Sequence, residues 1–373
     1  TQYQKIKNKV DMSVISIMEN ATFINGPIVN TFQKNLEQFL NVKHVIPCAN
    51  GTDALQIAMM SLGLKPGDEV ITSNFTFAAT VEVIALLNLK PVLIDVDLET
   101  FNIDCEKLEK AIGPNTKAIV PVHLFGQPAD MEKIMQIAKE HNLYVIEDNA
   151  QAIGAKYKFK SGIKKKAGTI GDIGTTSFFP SKNLGCFGDG GALFTNNDEL
   201  AIKIRGIVNH GMYKRYHHDV VGVNSRLDSV QAAVLNAKLP HLNSYNKSRQ
   251  DSARKYTEAL KNCNEIMTPI LSNGCIEICG SCDCHVFHQY TIRILSSRRD
   301  DLANYLSDQE IPFGIYYPIP LHKQKAYESK AYRDDDFVNT NTLCDQVISL
   351  PMHSELSDEQ IDFITDKVIK FLA

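Results

Sequence analysis

Apolar residues near the N-terminus recur at helical spacing. Ile6, Val10, Val14, Ile17 and Met18 predict a helix within residues 1–40, and Phe32, Leu36, Phe39 and Leu40 predict a second one after the break at Asn25-Gly26-Pro27. A short apolar run over 44–47 reads as a strand, and 55–62 as an apolar helix. From residue 66 the pattern alternates: strands over 69–72, 91–95, 118–122 and 144–147, with helices over 78–87, 105–111 and 131–141 between them. Short apolar strands separated by helices predict an α/β fold with a mostly parallel sheet covered by helices. Beyond it, 192–195 reads as a strand and a helix starts at Asp198, while 209–228 is polar and irregular for about twenty residues, the length of a functional loop. A helix over 230–239 ends at Pro240. A helix over 244–261, a strand over 285–295, a helix over 298–308, a strand edge over 314–318 and a last helix over 357–371 predict a smaller α+β domain. The expected division is 1–240 and 241–373.

At 373 residues the chain holds about two domains. Its net charge of −4 gives no general attraction to nucleic acid or an anionic membrane. The basic stretch 156–168 reads as a solvated hairpin rather than a nucleic-acid patch. No apolar run approaches the roughly 18 residues of a membrane span, and the N-terminal stretch lacks the apolar core of a signal peptide. Nine cysteines do not form a small-domain disulfide framework, so a reducing cytoplasm is expected. Cys263, Cys275, Cys279, Cys282, Cys284 and His285 crowd one window, but without the paired C-x2-C units of a structural zinc site. No metal is expected there, and the default is a cysteine-rich hairpin.

In a parallel sheet, ligands bind beyond the carboxyl ends of the strands. Four loops follow such ends: 74–77, 123–127, 148–151 and 177–182. The last begins Ser177-Phe178-Phe179-Pro180-Ser181-Lys182 and runs into Gly185, Gly188, Gly190 and Gly191. Glycines there allow positive φ or close backbone approach to a ligand. A lysine between apolar residues and such a loop can be partly desolvated, which makes its amine a nucleophile toward carbonyls; on this stretch alone the plainer reading is a surface lysine beside a turn, and what favours the reactive one is the company it keeps in the other loops. Asp148 follows an apolar strand and can hold a proton on a ring nitrogen; the plainer reading is a helix cap. Gly51, Thr52 and Ser177 can bind a phosphate, with an ordinary N-cap by Thr52 or Asp53 as the alternative. Phe77 or Phe75 can cover the flat face of a ring, or either can pack in the core. A cofactor carrying an aldehyde, a pyridine nitrogen and a phosphate uses all of these, and pyridoxal 5′-phosphate is that cofactor. No G-x-G-x-x-G follows the first strand and no G-x4-G-K-[ST] occurs, which leaves other nucleotide-binding folds without support.

Several ordered stretches carry a family resemblance: Asn50-Gly51-Thr52-Asp53-Ala54-Leu55, Val145-Ile146-Glu147-Asp148-Asn149-Ala150-Gln151, Ser177–Gly185, Gly188-Asp189-Gly190-Gly191, Gly222–Asp228, His288-Gln289-Tyr290 and Leu350-Pro351-Met352-His353. Together they resemble the DegT/DnrJ/StrS-type nucleotide-sugar aminotransferases over nearly the whole chain. The resemblance implies a fold-type I transferase, aspartate aminotransferase-like, and a homodimer with shared active sites. It implies that Lys182 joins the cofactor aldehyde and shuttles the proton, that Asp148 partners the pyridinium, and that Gln151 contacts the ring or its hydroxyl. Gly51, Thr52 and Ser177 become phosphate ligands, Phe77 the stacking ring, and Asn224 a residue reaching the partner's phosphate. Arg226 resembles a carboxylate-binding residue, with a structural salt bridge as the alternative. Dehydratase relatives carry His where this chain has Lys182, so the lysine favours transamination. Within the family, 217–226, 286–290 and Leu321-His322 look most like the branch acting on UDP-linked 3-oxo sugars, with L-glutamate as donor and a 3-oxo uronate as the leading acceptor. Lys214, Arg215, Arg226, His288, Tyr290, Tyr317 and His322 are the expected substrate residues. A neutral UDP-3-oxo-N-acetylglucosamine, a dTDP-3-oxo-6-deoxyhexose and a silent cofactor-binding regulator are the alternatives.

Overall fold

The computed structural model describes residues 2–272 and 283–372. Seven strands form the central sheet, in the spatial order His44–Cys48, Gly191–Thr195, Ile173–Ser177, Tyr144–Asp148, Thr116–Val120, Glu69–Ser73 and Lys90–Ile94. Six run in one direction, and only Gly191–Thr195 runs against them. Side chains alternate between the faces, as strand geometry requires. On one side Ile46, Val70, Ala118, Val120, Ile146, Ile173 and Leu193 pack against the helices Gly51–Ser61, Ala79–Leu86 and Asp198–Ile207. On the other, Ile71, Ile119 and Val145 meet Met131–Glu140, while Val45, Ala192 and Phe194 meet Pro27–Leu40 and Ser229–Lys238.

The direction reversal positions the chemistry. Ile173–Ser177 ends at the carboxyl edge and Gly191–Thr195 starts back from that same edge. Residues 178–190, with Lys182 among them, are therefore held at that edge by both ends. The glycines of this loop serve differently from the expectation. None of Gly185, Gly188, Gly190 or Gly191 has a positive φ. Gly191 is needed because a Cβ there would lie 2.4 Å from the Asn50 carbonyl, so the close approach is to protein backbone, not to a ligand.

Pro240 does not end the preceding helix cleanly. Ser229–Lys238 passes through a single 3-10 turn, Leu239–His241, into the long helix Leu242–Leu260. Proline is tolerated there because the first turn of a helix leaves its N–H groups unpaired. The expected 285–295 strand is shorter, Tyr290–Ile294, and pairs with Ile266–Met267 and Val347–Leu350 in a three-stranded antiparallel sheet. The expected strand edge at 314–318 is a single bridge from Gly314 to Ser349. A second core lies between this sheet and the helices Leu242–Leu260, Arg299–Asp308 and Asp358–Leu372. Part of the C-terminal segment returns to the larger layer. Leu321 and Phe337 pack on Val81 and Leu93, and Leu343, Cys344 and Val347 pack on Phe75, Val96 and Phe125. The basic stretch is a two-stranded hairpin, Lys156–Lys158 with Lys164–Lys166. The 209–228 loop contains a small hairpin, Met212–Lys214 with His217–His218.

Candidate active site

Asp148 is the last residue of its strand and is buried. Its Oδ2 accepts from Thr80 Oγ1 (2.8 Å) and its Oδ1 from the Ala150 amide (3.2 Å). The neighbouring Glu147 faces the opposite side, as strand alternation demands. There it accepts from His123 Nε2 (2.8 Å) and from the amides of Gly168, Ile170 and Gly171 (2.8, 2.6 and 2.6 Å). Burial penalises the Glu147 charge, but His123 and the amides outweigh it and hold its carboxyl below the usual range. His123 Nδ1 accepts from the Ala129 amide (3.2 Å), so the ring is a neutral tautomer donating from Nε2. This fully buried pair was not foreseen from sequence. The one signal was a second carboxylate inside an apolar strand, which needs a partner.

Lys182 sits in the 178–190 loop, where its amide donates to the Phe179 carbonyl (2.8 Å). Surrounding protein pushes its amine down to about 8, with Asp148 acting in the opposite sense. At that value a substantial neutral fraction exists near neutral pH. Phe178 is buried against Phe32 (5.5 Å between ring centres), while Phe179 is exposed.

The helix beneath the candidate phosphate site begins at Gly51, earlier than the apolar pattern predicts. Asn50 caps it, not Thr52 or Asp53: Asn50 Oδ1 accepts from the Asp53 amide (2.7 Å). The amides of Gly51 and Thr52 stay outside that capping bond, the usual state of a first-turn N–H awaiting an anion. A Cβ on Gly51 would come within 2.7 Å of Ser177 Cβ. Glycine is therefore what lets the helix start and Ser177 close into one cradle, which suits a phosphate.

Of the two candidate rings, Phe75 is buried among Phe101, Phe125 and Tyr317. Phe77 is 59% exposed, its ring 6.4 Å from that of Tyr317, and is available to cover a planar ligand. Gln151 Oε1 accepts from the Phe125 amide (2.6 Å), and its Nε2 donates to Tyr317 Oη (3.3 Å). Burial pushes the Tyr317 phenol up, so it stays protonated. The buried carboxylate, the depressed amine, the glycine cradle and the open ring fit pyridoxal phosphate.

The substrate residues divide. Arg226 is half-buried and makes no ion pair or hydrogen bond among the described residues, so the salt-bridge reading does not apply there. Lys214, Arg215 and Asn224 are exposed around the 212–218 hairpin, with Arg215 over the Tyr216 ring (5.0 Å). Two expectations are corrected. Tyr290 lies in the second core, stacked on Tyr256 (4.9 Å) with its hydroxyl bonded to Thr257 (2.8 Å), which is a packing role. His322 is buried with both ring nitrogens engaged, Nδ1 by the side-chain Nδ2 of Asn74 (2.7 Å) and Nε2 by Asp334 (3.1 Å), and its ring stacks on Phe337 (4.4 Å). It ties the 321–337 segment to the loop at Asn74. His288 is buried, and that burial holds its ring well below the usual histidine range.

Of the cysteine-rich window, Cys275, Cys279 and Cys282 lie outside the described residues. His285 Nδ1 accepts from the Phe287 amide (2.9 Å), and its ring lies 3.8 Å from that of Phe287. Burial pushes it down to about 3, so it is a neutral packing group.

Comparison with known proteins places the chain in a family. The family model for DegT/DnrJ/EryC1/StrS aminotransferases matches residues 4–369. A "pleiotropic regulatory protein" of Geobacillus stearothermophilus is 44% identical over 372 residues, covering 99% of this chain and 96% of its own. The UDP-2-acetamido-2-deoxy-3-oxo-D-glucuronate aminotransferase of Pseudomonas aeruginosa is 44% identical over 363 residues, covering 97% and 96%. The crystal structure of a DegT/DnrJ/EryC1/StrS aminotransferase from Brucella abortus superposes with a TM-score of 0.92 at 40% identity, covering 100% and 97% of the two chains. By sequence and by fold, the chain belongs to the DegT/DnrJ/EryC1/StrS aminotransferase family, whose members depend on pyridoxal phosphate.

Proposed function

We propose that this aminotransferase moves the amino group of L-glutamate to the 3-oxo carbon of a UDP-2-acetamido-2-deoxy-hexuronate, supplying amino sugars for surface polysaccharide. The observation that carries the reading is the Lys182 amine, held near 8 beside the buried Asp148 carboxylate at the carboxyl edge of the sheet. Pyridoxal phosphate bound there supplies an electron sink for the charge left when a Cα proton departs. The chain's residues supply the rest. Lys182 Nζ takes the proton from the donor's Cα and later returns one to the acceptor carbon. Asp148, fixed by Thr80 and Ala150, would partner the ring nitrogen of the bound cofactor. The Gly51 and Thr52 amides and the Ser177 hydroxyl would hold the phosphate, and Phe77 would cover the ring.

The uronate reading rests on Arg226, a half-buried guanidinium without a partner among the described residues, and on the Pseudomonas relative's substrate. A planar guanidinium suits bidentate carboxylate binding. A homodimer is part of the proposal: Met12, Ile15, Met18, Phe23 and Ile24 expose an apolar set along the N-terminal helix and its turn, and Asn224 stands on the exposed loop beside the 212–218 hairpin. A silent regulator has no use for a depressed lysine amine next to a buried carboxylate. The test is a panel of UDP- and dTDP-linked keto sugars offered to glutamate-treated enzyme. The uronate is expected to be aminated fastest, and Arg226→Ala to cost it at least tenfold while sparing UDP-3-oxo-N-acetylglucosamine. Equal use of the neutral sugar by the unaltered chain would remove the uronate from the proposal.

A further inference from the structure

The 178–190 loop is fastened along its second half, after Lys182. It first closes on itself. The Phe178 amide donates to the Gly190 carbonyl (2.7 Å) and the Cys186 amide to the Phe178 carbonyl (2.8 Å), while the Cys186 thiol lies 2.9 and 3.0 Å from the carbonyls of Phe178 and Gly188. Gly185 is pressed onto the turn that carries Lys182. A Cβ there would lie 2.4 Å from the Pro180 carbonyl oxygen and 2.9 Å from that of Phe179, the carbonyl that accepts from the Lys182 amide. The helix Ser229–Lys238 then holds this half from outside. Gln231 Oε1 accepts from the Phe187 amide (2.8 Å), and Lys238 Nζ donates to the Gly185 carbonyl (2.6 Å). Positions 231 and 238 are about two turns apart and so share one face of that helix.

Lys238 is the costly member of this arrangement. It is 5% exposed and has no carboxylate partner among the described residues. Its ammonium meets the Gly185 carbonyl and lies 4.7 Å from the centre of the Phe187 ring. Burial lowers its pKa below the ordinary lysine value, and Cys186 acts in the opposite sense. A cation taken out of water without a counter-charge is expensive, and a methionine would fill such a space without that cost. What the ammonium adds is attraction to an aromatic face and a charge-assisted bond to a carbonyl that receives no backbone amide among the described residues. We propose that Lys238 is a positioning residue for Lys182, its ammonium holding Gly185 and Phe187 so that the second half of the loop stays closed on the turn that carries the reacting amine. The proposal rests on the aminotransferase reading only in taking Lys182 as the reacting amine. Among the described residues, Asp148 is the charge that acts on the Lys182 amine, so losing the charge of Lys238 moves that amine's midpoint only by moving the loop.

The test uses the apo chain and needs no turnover. Acetylation by an N-hydroxysuccinimide ester, followed peptide by peptide across pH, reports the midpoint of each lysine amine. Lys182 and Lys166 are both expected at about 8 in the unaltered chain. Lys166, set over the Phe39 ring (3.6 Å) in the basic hairpin, serves as the reference. In Lys238→Met the loop opens and water reaches Lys182. Its midpoint then rises by about one unit toward the ordinary 10.5, while that of Lys166 stays. A Lys182 midpoint unchanged in Lys238→Met overturns the proposal. So does a rise that Lys166 shares, since that reports loosening of the whole fold rather than of the loop. If Lys238→Met does not fold, Lys238→Gln, polar and slightly shorter, takes its place with the same outcomes. Borohydride trapping of the cofactor on Lys182 in the native chain is run alongside. Its absence would defeat the aminotransferase reading, whatever Lys238 does.

Discussion

At the scale of single residues, the chemistry depends on one depressed amine and one close approach. Lys182 must be unprotonated to take up the cofactor, and its midpoint lies at about 8. The rate of cofactor capture by the apo chain should therefore rise about tenfold per pH unit below that value and level off above it, as stopped-flow absorbance would record. Gly51→Ala puts a methyl 2.7 Å from Ser177 Cβ. Forcing a carbon into that space costs about 1–3 kcal/mol. Part of this should appear as cofactor lost on gel filtration, with the fold intact by circular dichroism. The sequence marks Lys182, Asp148, Gly51 and Ser177 as candidates because each combines a residue type with a position at or just past a strand or helix end, and the structure gathers those ends at one edge of the sheet. Glu147 and His123 were not, because a buried pair 24 residues apart announces itself only when the strands are ordered. Tyr290 and His322 show the opposite failure. A Tyr or His near a motif reads as a ligand contact until the fold reveals what its polar atoms already hold.

Among the elements, the C-terminal segment is fastened by a side chain from the sheet. Asp95, just past the end of the edge strand, accepts from the amides of Asn339 and Thr340 (3.0 and 2.8 Å), from Thr340 Oγ1 (2.7 Å) and from Lys107 Nζ (2.8 Å). These are first-turn amides of the helix Val338–Gln346, so Asp95 caps that helix from another part of the chain. Tyr332 covers the same edge strand, donating to the Pro91 carbonyl (2.8 Å) and accepting from the Leu93 amide (3.1 Å). A covered edge offers no template for pairing with other chains. Asp95→Ala should lower unfolding free energy by about 1–3 kcal/mol, measured by urea titration, with Asp95→Asn losing less. The strand and helix rhythm of residues 66–148 was readable because burial on both faces leaves short apolar runs. The cap on 338–346 was not, since nothing near that helix in sequence supplies it.

Over the whole molecule, buried ionisable groups set how the fold responds to acid. His285 and His288 are neutral in the folded chain, with pKa values far below the 6.5 of an unfolded histidine. Below pH 6.5 the unfolded chain takes up protons that the folded chain refuses, so stability falls by up to about 1.4 kcal/mol per pH unit for each imidazole. Glu147 and Asp95, both held below their usual values, act lower. Their contributions are complete above about pH 4.5 and 3.8 and are lost as pH falls through the depressed folded values. Urea midpoints should therefore decline from pH 6.5 to 5 and steepen below 4.5. A flat profile across the upper window would mean that the imidazoles are not held neutral. Sedimentation should give twice the 41.6 kDa of one chain, and a monomer would remove the shared-site part of the proposal. The sheet's spatial order and the return of residues 321–346 to the larger layer depend on long-range packing, to which local sequence pattern is blind.

The most direct test of the central claim is reduction of cofactor-loaded protein with borohydride, followed by digestion and mass spectrometry, with and without prior L-glutamate. The expected result is a pyridoxyl adduct on Lys182 that disappears after glutamate, together with release of pyridoxamine phosphate. An adduct on another lysine, or none in saturated protein, would contradict Lys182 as the reacting amine.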